Sequence, residues 1–265
     1  MTAIDQGKKI RAVFFDIDGT LLSHKTGEVP KSTLDAIDEL RSRGIMTVVA
    51  TGRHMSEYEG LPVAKIKFDG YLMLNGQLLH DSDHKVYAGT AIDAGEMEVL
   101  AHIFSARRIP FILIGENQRY INYVNDTVVK TQAQTKGTIP SIEDYKGEKV
   151  YQICAFVPDN QRVLLDNLLD ECHITSWHDT GIDIIPKGGG KAAGIKTFIE
   201  ENGLLREETM AIGDGENDIG MIRFAGIGVA MGNASEEVKN AADYVTDTVD
   251  EDGLANALRH YGLIE

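Results

Sequence analysis

Two aspartates stand one residue apart in Asp16-Ile17-Asp18-Gly19-Thr20, directly after the apolar run Ala12-Val13-Phe14-Phe15. Like charges this close repel each other unless a cation lies between them. An all-oxygen site suits Mg²⁺, which takes one or two carboxylates, waters and phosphate oxygens. One carboxylate can then attack a phosphoryl group as nucleophile. The other can protonate the leaving oxygen and later activate water. Gly19 lets the backbone approach phosphate oxygens closely. The competing reading is a solvated turn, since Asp-x-Asp-Gly also occurs in turns and calcium loops.

Three further segments carry the same flavour. Thr51 and Gly52 follow a second apolar run, where a hydroxyl and free N–H groups can grip phosphate; a helix N-cap at Thr51 is the alternative. Lys187-Gly188-Gly189-Gly190-Lys191 opens a helix, and a lysine there can neutralise both a phosphate and a crowded carboxylate; otherwise it is a linker ending in a surface lysine. Gly213-Asp214-Gly215-Glu216-Asn217-Asp218 follows another strand and suits a metal-facing turn, with Asp214 completing the cation's ligands. Asp218 reads equally well as a cap in the first helical turn. Rival motifs fail. No P-loop occurs, Gly226-Ile227-Gly228-Val229-Ala230-Met231-Gly232 misses the dinucleotide spacing by one, and the eight histidines show no zinc spacing.

Positioning these loops requires a parallel sheet. Arg11–Asp16 reads as a buried strand and Ser32–Arg41 as a helix, with Leu34, Ile37 and Leu40 on one face, Ser32 or Thr33 as cap and Gly44 as stop. Ile45–Ala50 is the next strand, which closes a βαβ unit. The C-terminal third repeats this logic: helix Ala192–Glu201, strand Thr209–Ile212, a helix from Asp218, strand Gly228–Met231, helix Ser235–Ala241 and strand Tyr244–Thr246. Loops at the carboxyl ends of such strands line the ligand crevice. The middle, Asp83 to Ile185, differs. Tyr120–Val124 and Val150–Phe156 alternate with period two, as in an antiparallel sheet with one covered face. Helices are expected at Gly95–Arg107 and Asn160–Glu171. This is a second domain inserted into the first.

The chain has 265 residues, 43% of them hydrophobic and 25% charged, enough for one large domain or two modest ones and too apolar for disorder. A net charge of −15 disfavours nucleic acid. A small anion is not excluded, because local cations reverse the sign inside one cleft. Cys154 and Cys172 are not a C-x-x-C pair, so reduced thiols and a cytoplasmic setting are expected. The polar N-terminus lacks a signal core, and no apolar run reaches the roughly 20 residues of a membrane helix. The N-x-S/T triplets at Asn125 and Asn233 are read as chance matches.

In order, spacing and strand context, the four loops resemble the haloacid dehalogenase superfamily, in its Cof-like (subfamily IIB) branch with a large C2-type cap. The resemblance implies a Rossmann-like, doubly wound α/β core at residues 1–80 and 186–265 and an α/β cap at 81–185. It implies a Mg²⁺-dependent phosphatase in which Asp16 is the nucleophile and Asp18 the general acid, then base. Ile17, Thr51, Gly52, Lys191 and Asn217 would bind phosphate. Asp16, Asp214 and the backbone carbonyl of Asp18 would hold Mg²⁺, with Asp218 and Asn75 in support. The glycine-rich run before Lys191 departs from the family pattern and leaves the stiffness of the cap hinge open. Candidate cap contacts are Arg119, Asn122, Trp177, His178 and Asp183. The expected substrate is a small phosphorylated metabolite: a sugar phosphate, pyridoxal phosphate or flavin mononucleotide. A monomer is expected, with no membrane or nucleic-acid partner. The rivals are a phosphomutase, which would return phosphate to a sugar phosphate, and a catalytically silent metabolite sensor.

Overall fold

The computed structural model describes residues 9–135 and 137–265. The polar stretch before Lys9 lies outside them. In chain order the elements are β1 (Ala12–Phe15), α1 (Lys31–Ser42), β2 (Met46–Ala50), α2 (Met55–Tyr58), β3 (Gly70–Met73), β4 (Leu78–Asp81) and β5 (Val86–Gly89). Then come α3 (Ala94–Ser105), β6 (Phe111–Ile114), β7 (Arg119–Ile121), α4 (Asp126–Gln134), β8 (Gln152–Phe156), α5 (Asp159–Asp166), β9 (Cys172–His178) and β10 (Gly181–Pro186). The chain ends with α6 (Lys191–Glu201), β11 (Thr209–Gly213), α7 (Ile219–Phe224), β12 (Ile227–Ala230), α8 (Glu236–Ala241), β13 (Tyr244–Val245) and α9 (Gly253–His260).

These elements divide into two compact units, residues 1–88 with 190–265, and residues 89–189. The first holds one sheet in the order β13-β12-β11-β1-β2-β3-β4-β5. The strands from β13 to β3 are parallel, and β4 turns back antiparallel on β3. The antiparallel extension carries this sheet past residue 80, where the insertion was expected to begin.

A strand with only apolar side chains on both faces must lie between two layers, and all four residues of β1 are buried. Phe14 faces α6, where Phe198 meets it edge-on at 5.5 Å, among Val48, Leu72, Ile195 and Ala211. Burying a ring of this kind stabilises the fold by about 1.5–3 kcal/mol. Helix α1 spans the expected segment, but its buried stripe is Thr33, Ala36, Ile37 and Leu40, and Leu34 is exposed. Pro30 flanks its start without a side-chain cap, and the Ser32 hydroxyl donates to Asp252 Oδ1 instead.

Phe15 lies level with Val49 on one side and Ile212 on the other. Consecutive strands run outward from β1 through β2 and β3, and from β11 through β12 and β13 on the opposite side. The direction reverses between β1 and β11, where open α/β sheets place their ligand crevice.

The second unit is an antiparallel sheet in the order β7-β6-β8-β10-β9. Leu113, Ile153, Ala155, Ile182 and Ile184 pack with Leu100 and Phe104 of α3. Two expectations change here. The helix read from Asn160 to Glu171 ends at Asp166. A further helix, α4, is N-capped by Asn125, whose side chain accepts from Val128 N–H at 3.0 Å. Among the described residues no helix is long and apolar enough to cross a membrane.

Candidate active site

The parallel strands deliver their polar loops side by side. Asp16 follows β1, Thr51 follows β2 and Asp214 follows β11. Asp16 N–H donates to the Ile212 carbonyl at 3.0 Å, so the Asp16 loop starts in register with β11.

Lys191 is the first residue of α6, and its side chain is fully buried. Its Nζ donates to Asp16 Oδ1 and to Asp218 Oδ1, each at 2.5 Å. The surface-lysine alternative is therefore excluded. Asp218 Oδ2 accepts the N–H groups of Asp214 and Gly215, both at 2.9 Å. Asp218 thus caps, as one sequence reading allowed, but at the short helical turn Glu216–Asp218 that leads into α7, and in doing so it shapes the turn that presents Asp214.

Asp214 is gripped by neutral donors. Thr20 Oγ1 donates to Oδ1 at 3.0 Å and Asn233 Nδ2 to Oδ2 at 3.0 Å. Gly19, at φ +84°, makes this approach possible: a Cβ there would stand 2.2 Å from Asp214 Oδ2. Only glycine tolerates both the left-handed backbone and that distance.

Oxygens of Asp16, Asp214 and Asp218 all lie within 4.8 Å of one another. Burial, then Asp218, Asp214 and Asp18, push the Asp16 carboxyl well above its ordinary range against the pull of Lys191. Burial and Asp218 push Asp214 up to about 7, opposed by the Thr20 hydrogen bond and Lys191. Burial works to lower the Lys191 ammonium, but Asp16 and Asp218 raise it overall. The cluster is short of positive charge, and hard oxygen donors are what Mg²⁺ prefers, so the donor set fits that ion. Asp218 takes the Lys191 ammonium on one oxygen and two N–H groups on the other, whereas each Asp214 oxygen takes one neutral donor, so Asp16 and Asp214 are the less committed carboxylates.

Asp18 stands apart from this cluster. Arg53 Nε donates to its Oδ2 at 2.6 Å and Arg53 Nη2 to its Oδ1 at 2.8 Å. Such a two-pronged grip fixes orientation as well as charge. Arg53 follows Thr51-Gly52 directly, but nothing in the local pattern marked it for this task. Thr51 is buried, and its hydroxyl accepts Arg53 N–H at 3.2 Å. The Ile17 side chain belongs to the core, and its carbonyl collects the N–H groups of Thr20, Leu21 and Leu22, so only its backbone can serve a ligand.

Asn75 sits in the β3–β4 turn, where Leu74, Asn75 and Gly76 all have positive φ. Non-glycine residues pay of order 1–3 kcal/mol for such backbone, a cost that recurs at functional sites. Asn75 N–H donates to the Thr51 carbonyl at 2.8 Å, and Asn75 Oδ1 accepts from Asn217 Nδ2 at 2.9 Å. A Cβ on Gly52 would lie 3.3 Å from the Asn75 amide. Asn217, Asn75, Gly52 and Thr51 are therefore brought together around one turn.

The remaining candidates lie in the second unit. Asn122 is fully buried and spent on structure: its Oδ1 accepts from Phe111 and Tyr123 N–H, and its Nδ2 donates to the Phe104 and Ile109 carbonyls. Trp177 packs edge-on to Phe156, with its ring over Gly181. His178 Nδ1 accepts Thr180 N–H at 3.2 Å. Arg119 donates to the Thr138 carbonyl at 2.7 Å, and Asp183 is buried in mid-strand β10, level with Thr175 and Cys154.

The sequence pattern of haloacid dehalogenase-like hydrolases matches residues 13–258. The chain is 31% identical over 258 residues to the Bacillus subtilis 5-amino-6-(5-phospho-D-ribitylamino)uracil phosphatase YcsE, covering 96% of each protein. Among solved structures it is similar to BT1666, a haloalkanoate-superfamily phosphatase from Bacteroides thetaiotaomicron (TM-score 0.90, 33% identity, 99% of each chain). It is also similar to the subclass IIB sugar phosphatase BT4131 (TM-score 0.88, 33% identity, 96% of this chain and 100% of that one).

Proposed function

The chain belongs to the haloacid dehalogenase-like hydrolases, in their subclass IIB branch, and is an enzyme of the phosphatase kind; from that premise we propose that it is a Mg²⁺-dependent phosphomonoesterase of small phosphorylated metabolites, with sugar phosphates the leading class. The observation that carries this reading is the buried Lys191 bridging Asp16 and Asp218 beside Asp214. A lysine with no solvent contact, between carboxylates that still lack positive charge, fits a site built for a cation and an anionic substrate together.

Asp16 attacks phosphorus in line with the leaving oxygen. The bond from phosphorus to the leaving oxygen breaks, and Asp18 gives that oxygen its proton. Asp18 then takes a proton from water, whose oxygen attacks the aspartyl-phosphate. The bond from phosphorus to Asp16 breaks, which frees orthophosphate and restores the carboxylate. Lys191, Thr51, Asn217 and the backbone of Ile17 and Gly52 hold the phosphoryl oxygens. Arg53 keeps Asp18 aimed. Asp16, Asp214 and the Asp18 carbonyl would hold Mg²⁺, which would supply positive charge to the phosphoryl oxygens. In this reading residues 89–189 form the cap that selects substrate, and the enzyme works as a cytoplasmic monomer.

The test is orthophosphate release with and without Mg²⁺ across sugar phosphates, a phosphoribityl compound, pyridoxal phosphate and flavin mononucleotide, with Asp16→Asn as control. Metal-dependent release that disappears in Asp16→Asn supports the reading, and the ranking of compounds defines the class. An isomeric sugar phosphate without orthophosphate moves the assignment to a mutase. A folded, Mg²⁺-binding protein silent on every compound rejects the proposal.

A further inference from the structure

The loop after β12 carries Asn233, one of the two donors to the Asp214 carboxylate. Its backbone is pinned on two sides. Met231 N–H donates to the Gly213 carbonyl at 3.0 Å, and Gly232 N–H to the Asp247 carbonyl at 2.9 Å. Gly232 lies so close to the latter segment that a Cβ would stand 2.7 Å from the Asp247 carbonyl carbon.

Asn233 extends from this fixed loop and spends both ends of its amide. Nδ2 donates to Asp214 Oδ2 and to the Gly19 carbonyl, each at 3.0 Å, and Oδ1 accepts Val249 N–H at 3.0 Å. One side chain thus ties the nucleophile loop, the Asp214 carboxylate and the C-terminal segment together. The task needs two donors and an acceptor at one place, which a primary amide supplies. Aspartate would oppose Asp214 and the Gly19 carbonyl with lone pairs, and serine offers a single donor. Each carboxylate oxygen of Asp214 receives one hydrogen bond, from Thr20 or Asn233. One lone pair on each stays free for a metal.

We propose that Asn233 is a positioning residue for the metal site, holding the Asp214 carboxylate against the Gly19 loop so that the oxygen set is assembled before the ion arrives. The inference rests on the reading of Asp214 as a Mg²⁺ ligand. The same two regions are also joined by Ser23 Oγ, which donates to Asp250 Oδ1 at 2.6 Å without touching Asp214. That bond is an internal control for general loosening of the loops.

Mg²⁺ affinity is measured calorimetrically on the full chain for wild type, Asn233→Ala, Asn233→Ser and Ser23→Ala, alongside the thermal midpoint without metal. Losing such an outer partner weakens metal binding by about 10–100-fold, and that is the expectation for Asn233→Ala. Asn233→Ser should fall between it and wild type, and carries the test if Asn233→Ala does not fold. Ser23→Ala should keep wild-type affinity even where its thermal midpoint drops. Wild-type affinity in Asn233→Ala or Asn233→Ser, or an equal loss in Ser23→Ala, overturns the proposal. A wild type that does not bind Mg²⁺ overturns it together with the metal reading beneath it.

Discussion

Replacing Lys191 by methionine keeps a long apolar stem and removes the ammonium. In the wild type that ammonium is fully buried and lies 2.5 Å from oxygens of both Asp16 and Asp218. Without it, two buried carboxylates remain, with Asp214 close by and no lysine between them. Breaking a buried ion pair from one side costs about 3–5 kcal/mol. At about 2–4 °C per kcal/mol for a domain of this size, the thermal midpoint should fall by roughly 6–20 °C. The loss should also depend on pH. Burial already raises the Asp16 carboxyl, and Lys191 is a force that lowers it, so the variant raises it further. A carboxyl raised in the folded state lends stability that is fully present below its unfolded value of about 3.9 and is lost as pH rises through the folded value. The gap between variant and wild type should therefore widen from pH 5 to pH 8. Orthophosphate release should drop by about 10²–10³-fold, the usual loss for one preorganised group facing transition-state charge. Thermal scans in chelator at pH 5 and pH 8, with turnover at pH 8 in Mg²⁺, test both effects. A midpoint lowered equally at the two pH values, or unchanged at pH 8, would refute the electrostatic account of Lys191.

Arg53→Ala should leave the fold intact and lower orthophosphate release by about 10²-fold, the smaller end of what a positioned acid–base group contributes, because both Asp18 oxygens lose their donor. Arg53→Lys restores the charge but not the fork, so it should recover only part of the rate; full recovery would show that charge alone matters. His80 offers a stability test away from the chemistry. It is buried, its Nδ1 has no hydrogen-bond partner among the described residues, and burial, then His54 and His84, bring its pKa down to about 4. A group lowered in the folded state contributes stability that is present above its unfolded value, about 6.5, and is lost as pH falls through the folded one. The difference of about 2.5, at about 1.4 kcal/mol per pKa unit, sets a ceiling of about 3.5 kcal/mol, lowered by solvent screening, on the stability lost between pH 6.5 and pH 4. His80→Gln should flatten the acid side of the thermal-midpoint profile, and an unchanged profile would remove His80 from the account.

How much the sequence disclosed depended on the range over which each signal acts. β1, β2, β11 and β12 were readable because a strand buried on both faces must be continuously apolar, and the polar residue that ends it is visible one position later. Asp16, Thr51 and Asp214 were found on that basis. The antiparallel return of β4, and helix α4, carry weaker local signals. α4 depends on the Asn125 cap, which the sequence presented only as an N-x-S/T match. Partners were illegible for a different reason. Asp218 has the spacing of a helix cap and its Oδ2 does take two backbone N–H groups, yet its Oδ1 goes to Lys191, because α6 brings the ammonium there from 27 residues away. Asn122 was read as a candidate cap contact, yet it closes four backbone bonds in the interior. The same blindness applied to Arg53 and Asn233. Each is an ordinary polar residue locally, and each acquires a task only when the sheet sets it beside a carboxylate 35 or 19 positions distant. Periodicity can therefore locate the edge of the sheet at which chemistry happens. Which side chain answers which carboxylate depends on strand order, and in this chain that order reverses between β1 and β11, where Asp16 and Asp214 emerge.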